Sequence, residues 1–258
     1  MKYLFAFIFV FMNTTFAFAQ LHTEAVEYKD GDTVLEGYLA YEESTKDIRP
    51  GVLVVHEWMG IGSYVKKRVE QLAQLGYTAF AADIYGKGIR PKNNEEAAQQ
   101  AGIYKNNRPL MRRRALAGLE VLKNQPLIDK TRLAAIGYCF GGTTILELAR
   151  SGADLAGVVS FHGGLDTPNP DDAKNIKAKV LVLHGGDDPY VPGAQVLAFQ
   201  DEMRKAHVDW QMITYGGAVH GFTNPGAGND PAKGAAYNEK ADKLSWEAMK
   251  QFFNEIFK

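Results

Sequence analysis

From residue 50 onward, short apolar runs alternate with longer stretches in which apolar side chains recur every three or four positions. That alternation is the pattern of βαβ units feeding a mostly parallel sheet. The spacing predicts strands at 51–56, 77–83, 133–138, 155–161, 179–184 and 210–215. It predicts helices near 63–75, 94–104, 109–123, 141–151, 194–206 and 240–257. The strand segments are apolar nearly throughout, so both faces of the sheet must be covered by helices. Upstream, residues 24–42 place Asp30-Gly31 between two roughly alternating runs, which predicts an opening β-hairpin. Residues 224–236, rich in Gly, Ala and Pro, predict a mobile loop. The basic run Met111-Arg112-Arg113-Arg114 predicts a solvated helix face with no assigned role.

With 258 residues, 46% of them hydrophobic, the chain has enough apolar surface for one sizeable core, and residues 20–258 read as a single α/β domain. A formal charge of -1 supplies no field to gather phosphates, so nucleic acid is excluded as an expected partner. The first 19 residues change the picture of where the protein works. Lys2, an apolar run from Tyr3 to Met12, and Ala17-Phe18-Ala19 before Gln20 follow the order of a secretory signal peptide. The apolar run stops at Asn13, well short of the ~20 residues that a membrane span requires. The protein is expected to be exported, to the periplasm or beyond, with no stable anchor after processing.

Cys139 is the only cysteine, so it has no partner for an internal disulfide in an oxidising compartment. It lies in Gly137-Tyr138-Cys139-Phe140-Gly141-Gly142, between an apolar strand and a predicted helix. Glycine two residues before and two after the central residue is the nucleophile-elbow pattern, here with cysteine in place of serine. The steric reason is the close approach of strand and helix, which flanking side chains would block. Glycine makes up 26 of 258 residues, so both flanks would be glycine by accident about once in 100. The helix that follows directs its N-terminal amides and positive end toward the sulfur, which favours thiolate.

A thiol nucleophile needs a base, and in this pattern the acid and the histidine follow it in that order. His22 and His56 precede Cys139, His207 lies in a polar helix end, and His162 and His184 close strands. His220 stands in the loop Gly216-Gly217-Ala218-Val219-His220-Gly221-Phe222 after the last strand, at the sheet edge where a base is expected. The loop after strand 179–184 offers two acids, Asp187 and Asp188. One suits the histidine Nδ1–H and the other a turn that bonds its own backbone, and the pattern alone does not choose.

Five segments together resemble the dienelactone hydrolase family: Val54-Val55-His56-Glu57-Trp58-Met59-Gly60, Ala82-Asp83-Ile84-Tyr85-Gly86, the cysteine elbow, Asp188-Pro189-Tyr190-Val191-Pro192, and Ala218-Val219-His220-Gly221-Phe222. They run in family order across residues 50–258. The resemblance implies an α/β-hydrolase fold, a triad of Cys139, Asp188 and His220, and an oxyanion hole made by the backbone N–H groups of Trp58 and Phe140. It selects Asp188 as the acid and leaves Asp187 the turn. It also implies that Glu57 contacts the resting thiol and takes part in its activation. Substrate contacts are implied around Tyr85, Lys87 and Asn224. Lys87 and Asn224 stand where members acting on dienelactone carry two arginines, a departure that points away from that lactone.

The expected function is hydrolysis of a small ester or lactone through a thioester, with no metal and no organic cofactor. A redox-active thiol and a non-catalytic binding protein on the same fold are the alternatives. Processing of the N-terminus is open to direct test: sequencing of the exported protein should begin at Gln20, and an uncleaved chain in washed membranes would reverse the localisation.

Overall fold

The computed structural model describes residues 20–258, so the expected signal peptide, residues 1–19, lies outside the described residues. The opening hairpin forms as β1 (Leu21–Asp30) and β2 (Thr33–Glu42), joined by a two-residue turn at Gly31-Asp32. Six further strands follow: β3 (Arg49–Val55), β4 (Thr78–Ala82), β5 (Ile128–Tyr138), β6 (Gly157–Phe161), β7 (Lys179–Gly185) and β8 (Trp210–Tyr215). Between and after them run α1 (Ser63–Gln74), α2 (Asn94–Lys105), α3 (Arg108–Lys123), α4 (Phe140–Arg150), α5 (Gly193–Lys205) and α6 (Glu239–Ile256).

The strands make one sheet in the order β1-β2-β4-β3-β5-β6-β7-β8. The pairs β1–β2 and β2–β4 are antiparallel and all the others parallel. Alternate side chains of the buried strands enter two separate cores. Leu53 and Val55 meet Met111, Ala115 and Leu119 of α3 and Ile145 and Leu148 of α4, in a layer that α2 and α5 complete. Val52 and Val54 meet Val65, Val69 and Leu72 of α1 together with Met249 and Phe253 of α6. A two-residue period along each strand thus builds a three-layer sandwich, as near-continuous apolar strands require.

Two expectations change. The stretch 224–236 folds into two short 3-10 turns at Pro225–Ala227 and Pro231–Lys233. It is bonded back to its neighbours by His220 N–H to Gly234 O, Ala236 N–H to His220 O and Tyr237 N–H to Gly228 O. The basic run is no solvated face. Met111 is fully buried, Arg114 is buried against Asp30 and Thr33, and Arg112 spans Glu147 and Asp172. All four residues thus reach other elements of the fold, Arg113 through an exposed pair with Asp30.

Arg112 belongs to a buried ionic cluster beneath α4. The Arg150 guanidinium, 1% exposed, donates to Glu202 at 2.7 and 2.9 Å and to Glu147 at 3.1 Å. Charges this deep persist only when paired and hydrogen-bonded. Arg150→Leu leaves two carboxylates without their shared cation and should lower unfolding free energy by about 3–5 kcal/mol. Denaturant titration reads this directly; a loss below about 1 kcal/mol would show that Arg112 suffices for the cluster.

Candidate active site

The parallel strands β3, β5, β6 and β7 all end at one edge of the sheet, and the chemistry collects there. β5 ends at Tyr138 and α4 begins at Phe140, which leaves Cys139 alone in the turn with φ 54° and ψ -115°. This left-handed conformation is strained for a side chain with a Cβ. The surrounding packing enforces it. A Cβ on Gly137 would lie 2.1 Å from Gly141 O, and one on Gly141 would lie 2.1 Å from Val55 O. Cys139 N–H donates to Phe161 O at 3.0 Å, tying the turn to β6.

Cys139 Sγ lies 3.0 Å from His220 Nε2, and His220 Nδ1 lies 2.8 Å from Asp188 Oδ2. The buried carboxylate only accepts, so Nδ1 carries a proton and Nε2 faces the sulfur. Burial alone would depress the His220 pKa, but the Cys139 sulfur and the Asp188 carboxylate at its two nitrogens raise it well above the ordinary histidine value. The imidazolium is thereby stabilised, and a proton can pass between sulfur and Nε2 without any rearrangement.

The two aspartates do not divide their labour as expected. Asp188 is buried and does both jobs, since Oδ2 meets His220 while Oδ1 accepts from Tyr190 N–H at 2.8 Å. Asp187 is exposed and its backbone N–H donates to Ala218 O. A side chain followed by proline and an aromatic residue turns inward here because its own second oxygen closes the turn.

Trp58 and Phe140 bring their amides to this edge from the end of β3 and the start of α4. Among the described residues neither N–H donates a hydrogen bond within the chain. Phe140 occupies the first position of α4, where an amide has no intrahelical acceptor. The Trp58 peptide is held from behind: Glu57 O accepts from His56 Nδ1 at 2.7 Å and from Gly60 N–H at 3.1 Å, and Trp58 O accepts from the Tyr85 hydroxyl at 2.9 Å.

Four expected contacts sit differently. The thiol is bonded to His220, while the Glu57 carboxylate accepts from Asn224 Nδ2 at 2.5 Å, so Glu57 is not the hydrogen-bond partner of the resting sulfur. Burial raises the Glu57 pKa, against the Asn224 hydrogen bond and the charges of His220 and Arg68. Lys87 is exposed and turns to the hairpin, where it pairs with Glu27 and Glu36. Asn224 is committed at both ends, donating to Glu57 and accepting from Gly226 N–H at 2.8 Å. Tyr85 is buried, and its hydroxyl serves the Trp58 carbonyl.

Behind His220 lies a polar network that the sequence reading did not assemble. Thr223 Oγ1 meets His162 Nε2 at 2.7 Å and the Tyr64 hydroxyl at 2.6 Å. Arg68 donates to Thr223 O at 2.9 Å and pairs with Asp242. The signal existed: Arg68 lies on the same helix face as Val65, Val69 and Leu72, and a cation on an apolar stripe needs a buried partner. Among the described residues no group of three or more His, Cys, Asp and Glu side chains is arranged to hold a metal.

The fold and this edge find close counterparts among known proteins. The solved protein m3DLH is 41% identical, with a TM-score of 0.88 over 92% of this chain and 98% of its own. A dienelactone hydrolase-like promiscuous phosphotriesterase from metagenomic libraries is 42% identical, with the same TM-score and the same coverage. A protein of Aquifex aeolicus, provisionally named carboxymethylenebutenolidase, is 26% identical over 91% of this chain and 99% of its own. The model of the dienelactone hydrolase family matches residues 35–257, and the chain belongs to that family of α/β-hydrolases.

Proposed function

We propose that this protein hydrolyses small uncharged esters or lactones by nucleophilic attack of Cys139. The observation that carries the reading is the continuous line from Asp188 Oδ2 through His220 to Cys139 Sγ, at 2.8 and 3.0 Å, on a strained elbow. The thiolate attacks the carbonyl carbon, and the oxyanion accepts from the Trp58 and Phe140 amides. His220 gives its Nε2 proton to the departing alkoxide, which leaves an acyl thioester on Cys139. His220 then takes a proton from water, the resulting hydroxide adds to the thioester, and collapse returns the acid and the thiolate. Export, carried by residues 1–19 alone, is part of the same reading.

The preference for uncharged substrates rests on the two positions that would hold a carboxylate. Lys87 is neutralised by Glu27 and Glu36, and Asn224 is taken by Glu57. Exposed Met59 and Tyr190 stand beside the Trp58 loop and the His220 ring, offering an uncharged rim. Likeness to a promiscuous phosphotriesterase at 42% identity favours a second reading, in which the same thiolate displaces an aryloxide from a phosphotriester. A phosphoryl oxygen would accept from the same two amides. Turnover of a neutral ester, an anionic lactone and a diethyl aryl phosphate, followed by intact mass, tests both. A reversible sulfenic acid without any acyl adduct would instead support a redox thiol, and no adduct of either kind a binding protein.

Cys139→Ala should lower kcat/KM for the ester at least about 1000-fold while leaving the melting temperature nearly unchanged, since little volume is vacated. Asp188→Asn should fall by about 100-fold or more, because the amide no longer fixes the His220 tautomer. Undiminished hydrolysis by the alanine variant would identify another attacking group.

Glu57 acts on the same pair through its charge. His220 lowers the Glu57 pKa, so by reciprocity the Glu57 carboxylate raises that of His220. Glu57→Gln keeps an oxygen for Asn224 and removes the charge, so the alkaline limb of the kcat/KM profile should move to lower pH. The stability effect has the opposite sense. A carboxyl raised in the folded state loses stability as pH climbs from its ordinary range through the raised value. The glutamine variant should therefore match wild type in acid and exceed it at neutral pH in thermal melts. An unshifted limb together with a weaker fold at neutral pH would make Glu57 a structural ion-pair partner only.

A further inference from the structure

We propose that His56 is the positioning residue of the oxyanion hole, a neutral imidazole whose Nδ1–H aims the Trp58 amide at the reacting carbonyl. The inference rests on the hydrolase reading above. His56 directly follows β3 and is fully buried. Its two nitrogens meet different groups: Nδ1 lies 2.7 Å from Glu57 O, and Nε2 lies 3.2 Å from Ile84 N. The Ile84 amide can only donate, so Nε2 is an acceptor and unprotonated. The ring proton therefore sits on Nδ1 and is donated to Glu57 O. Both partners fix one tautomer, and burial pushes the pKa of this histidine down to about 4, so the ring is neutral at physiological pH.

The hydrogen bond matters because Glu57 C=O and Trp58 N–H belong to one peptide unit. No peptide bond among the described residues is cis, and in a planar trans peptide the carbonyl and the amide point in opposite directions. Pinning Glu57 O toward the ring turns the Trp58 N–H away from it. The following peptide is pinned separately by the Tyr85 hydroxyl on Trp58 O at 2.9 Å. His56 also reaches the second donor: its ring stacks on Phe140 at 5.9 Å with 21° between planes and meets Tyr85 edge-on at 4.8 Å. One side chain thus bonds the peptide of one donor and packs on the residue that supplies the other. Its acceptor side is equally rigid, because Asp83 Oδ1 takes the Tyr85 and Gly86 amides, both at 3.1 Å, and holds the Ile84 turn in place.

The role is separable from that of the triad. Ester hydrolysis builds an oxyanion, whereas alkylation of Cys139 by iodoacetamide displaces iodide and builds none. His56→Gln puts a carbonyl oxygen near Ile84 N–H and removes the donor to Glu57 O. His56→Asn keeps an N–H near the Nδ1 position. For 4-nitrophenyl acetate, His56→Gln should lower kcat by about 10–100-fold with KM within about twofold, and His56→Asn should recover a substantial part. The rate of Cys139 alkylation and its pH profile should stay within about twofold of wild type in both. In the wild-type protein, 15N spectra of the ring should show the Nδ1–H tautomer, unchanged from pH 5.5 to 9. Equal losses of kcat and alkylation in folded variants, or unchanged kcat in His56→Gln, would overturn the proposal. An Nε2–H tautomer in wild type would overturn it without any variant. Absence of an acyl-enzyme in wild type would defeat the hydrolase reading, while the tautomer would still decide the hydrogen bond.

Discussion

The close approach of α4 to the end of β3 is the constraint on which this site depends. Gly141 leaves no room for a Cβ against Val55 O, and Gly137 leaves none against Gly141 O. With backbones this near, the chain between β5 and α4 has a single residue in which to reverse, and that residue takes φ 54°. The strain at Cys139 is the local cost of the packing, and it is held because the sheet and helix around it are fully buried. The same approach brings the first amide of α4 beside the loop that leaves β3. Cys139 and the backbone amides of Trp58 and Phe140 are therefore brought together by one packing event.

Burial then sorts the histidines. His56, His162 and His184 all lie at strand ends on this edge, and burial lowers the pKa of each. His220 alone is raised, because a sulfur and a carboxylate meet its two nitrogens. One imidazolium among neutral neighbours keeps positive charge beside the Cys139 sulfur and avoids repulsion from the His162 ring, 5.4 Å away. The separation follows from partner chemistry, since all four rings share a protein-lined environment and only His220 has acidic partners at both nitrogens.

The layout of the fold was legible because burial on both sheet faces forces apolar strands, and each of the six expected helices forms within about one residue of its expected bounds. Cys139 and His220 were legible from glycine spacing and loop position. Choosing Asp188 needed the family resemblance, and no pattern revealed that its second carboxylate oxygen would also close the turn. Lys87, Asn224 and the run 111–114 were misread for a common reason. Each finds its partner far along the chain, Lys87 in the hairpin at Glu27, Asn224 at Glu57, Arg114 at Asp30. Linear pattern reports the side chain and not the charge that folding brings to it. His56 was passed over because it precedes the cysteine, although a polar residue closing an apolar strand already required a partner.

Those distant partners also explain how a histidine on a long glycine-rich loop keeps a fixed geometry. Residues 216–238 would be costly to order by themselves. They are tied at His220 by backbone bonds to Gly234 and Ala236, at Thr223 by Tyr64, Arg68 and His162, and at Asn224 by Glu57. The last tie reaches the residue whose carbonyl His56 holds. The loop that carries His220 and the loop that carries Trp58 are therefore joined side chain to side chain through Asn224 and Glu57. A shift of His220 away from the sulfur would pull on Asn224, and through Glu57 on the Trp58 peptide. The His220 loop and the Trp58 peptide form one mechanical unit, and Glu57 sits at their junction through its carboxylate on one side and its backbone carbonyl on the other.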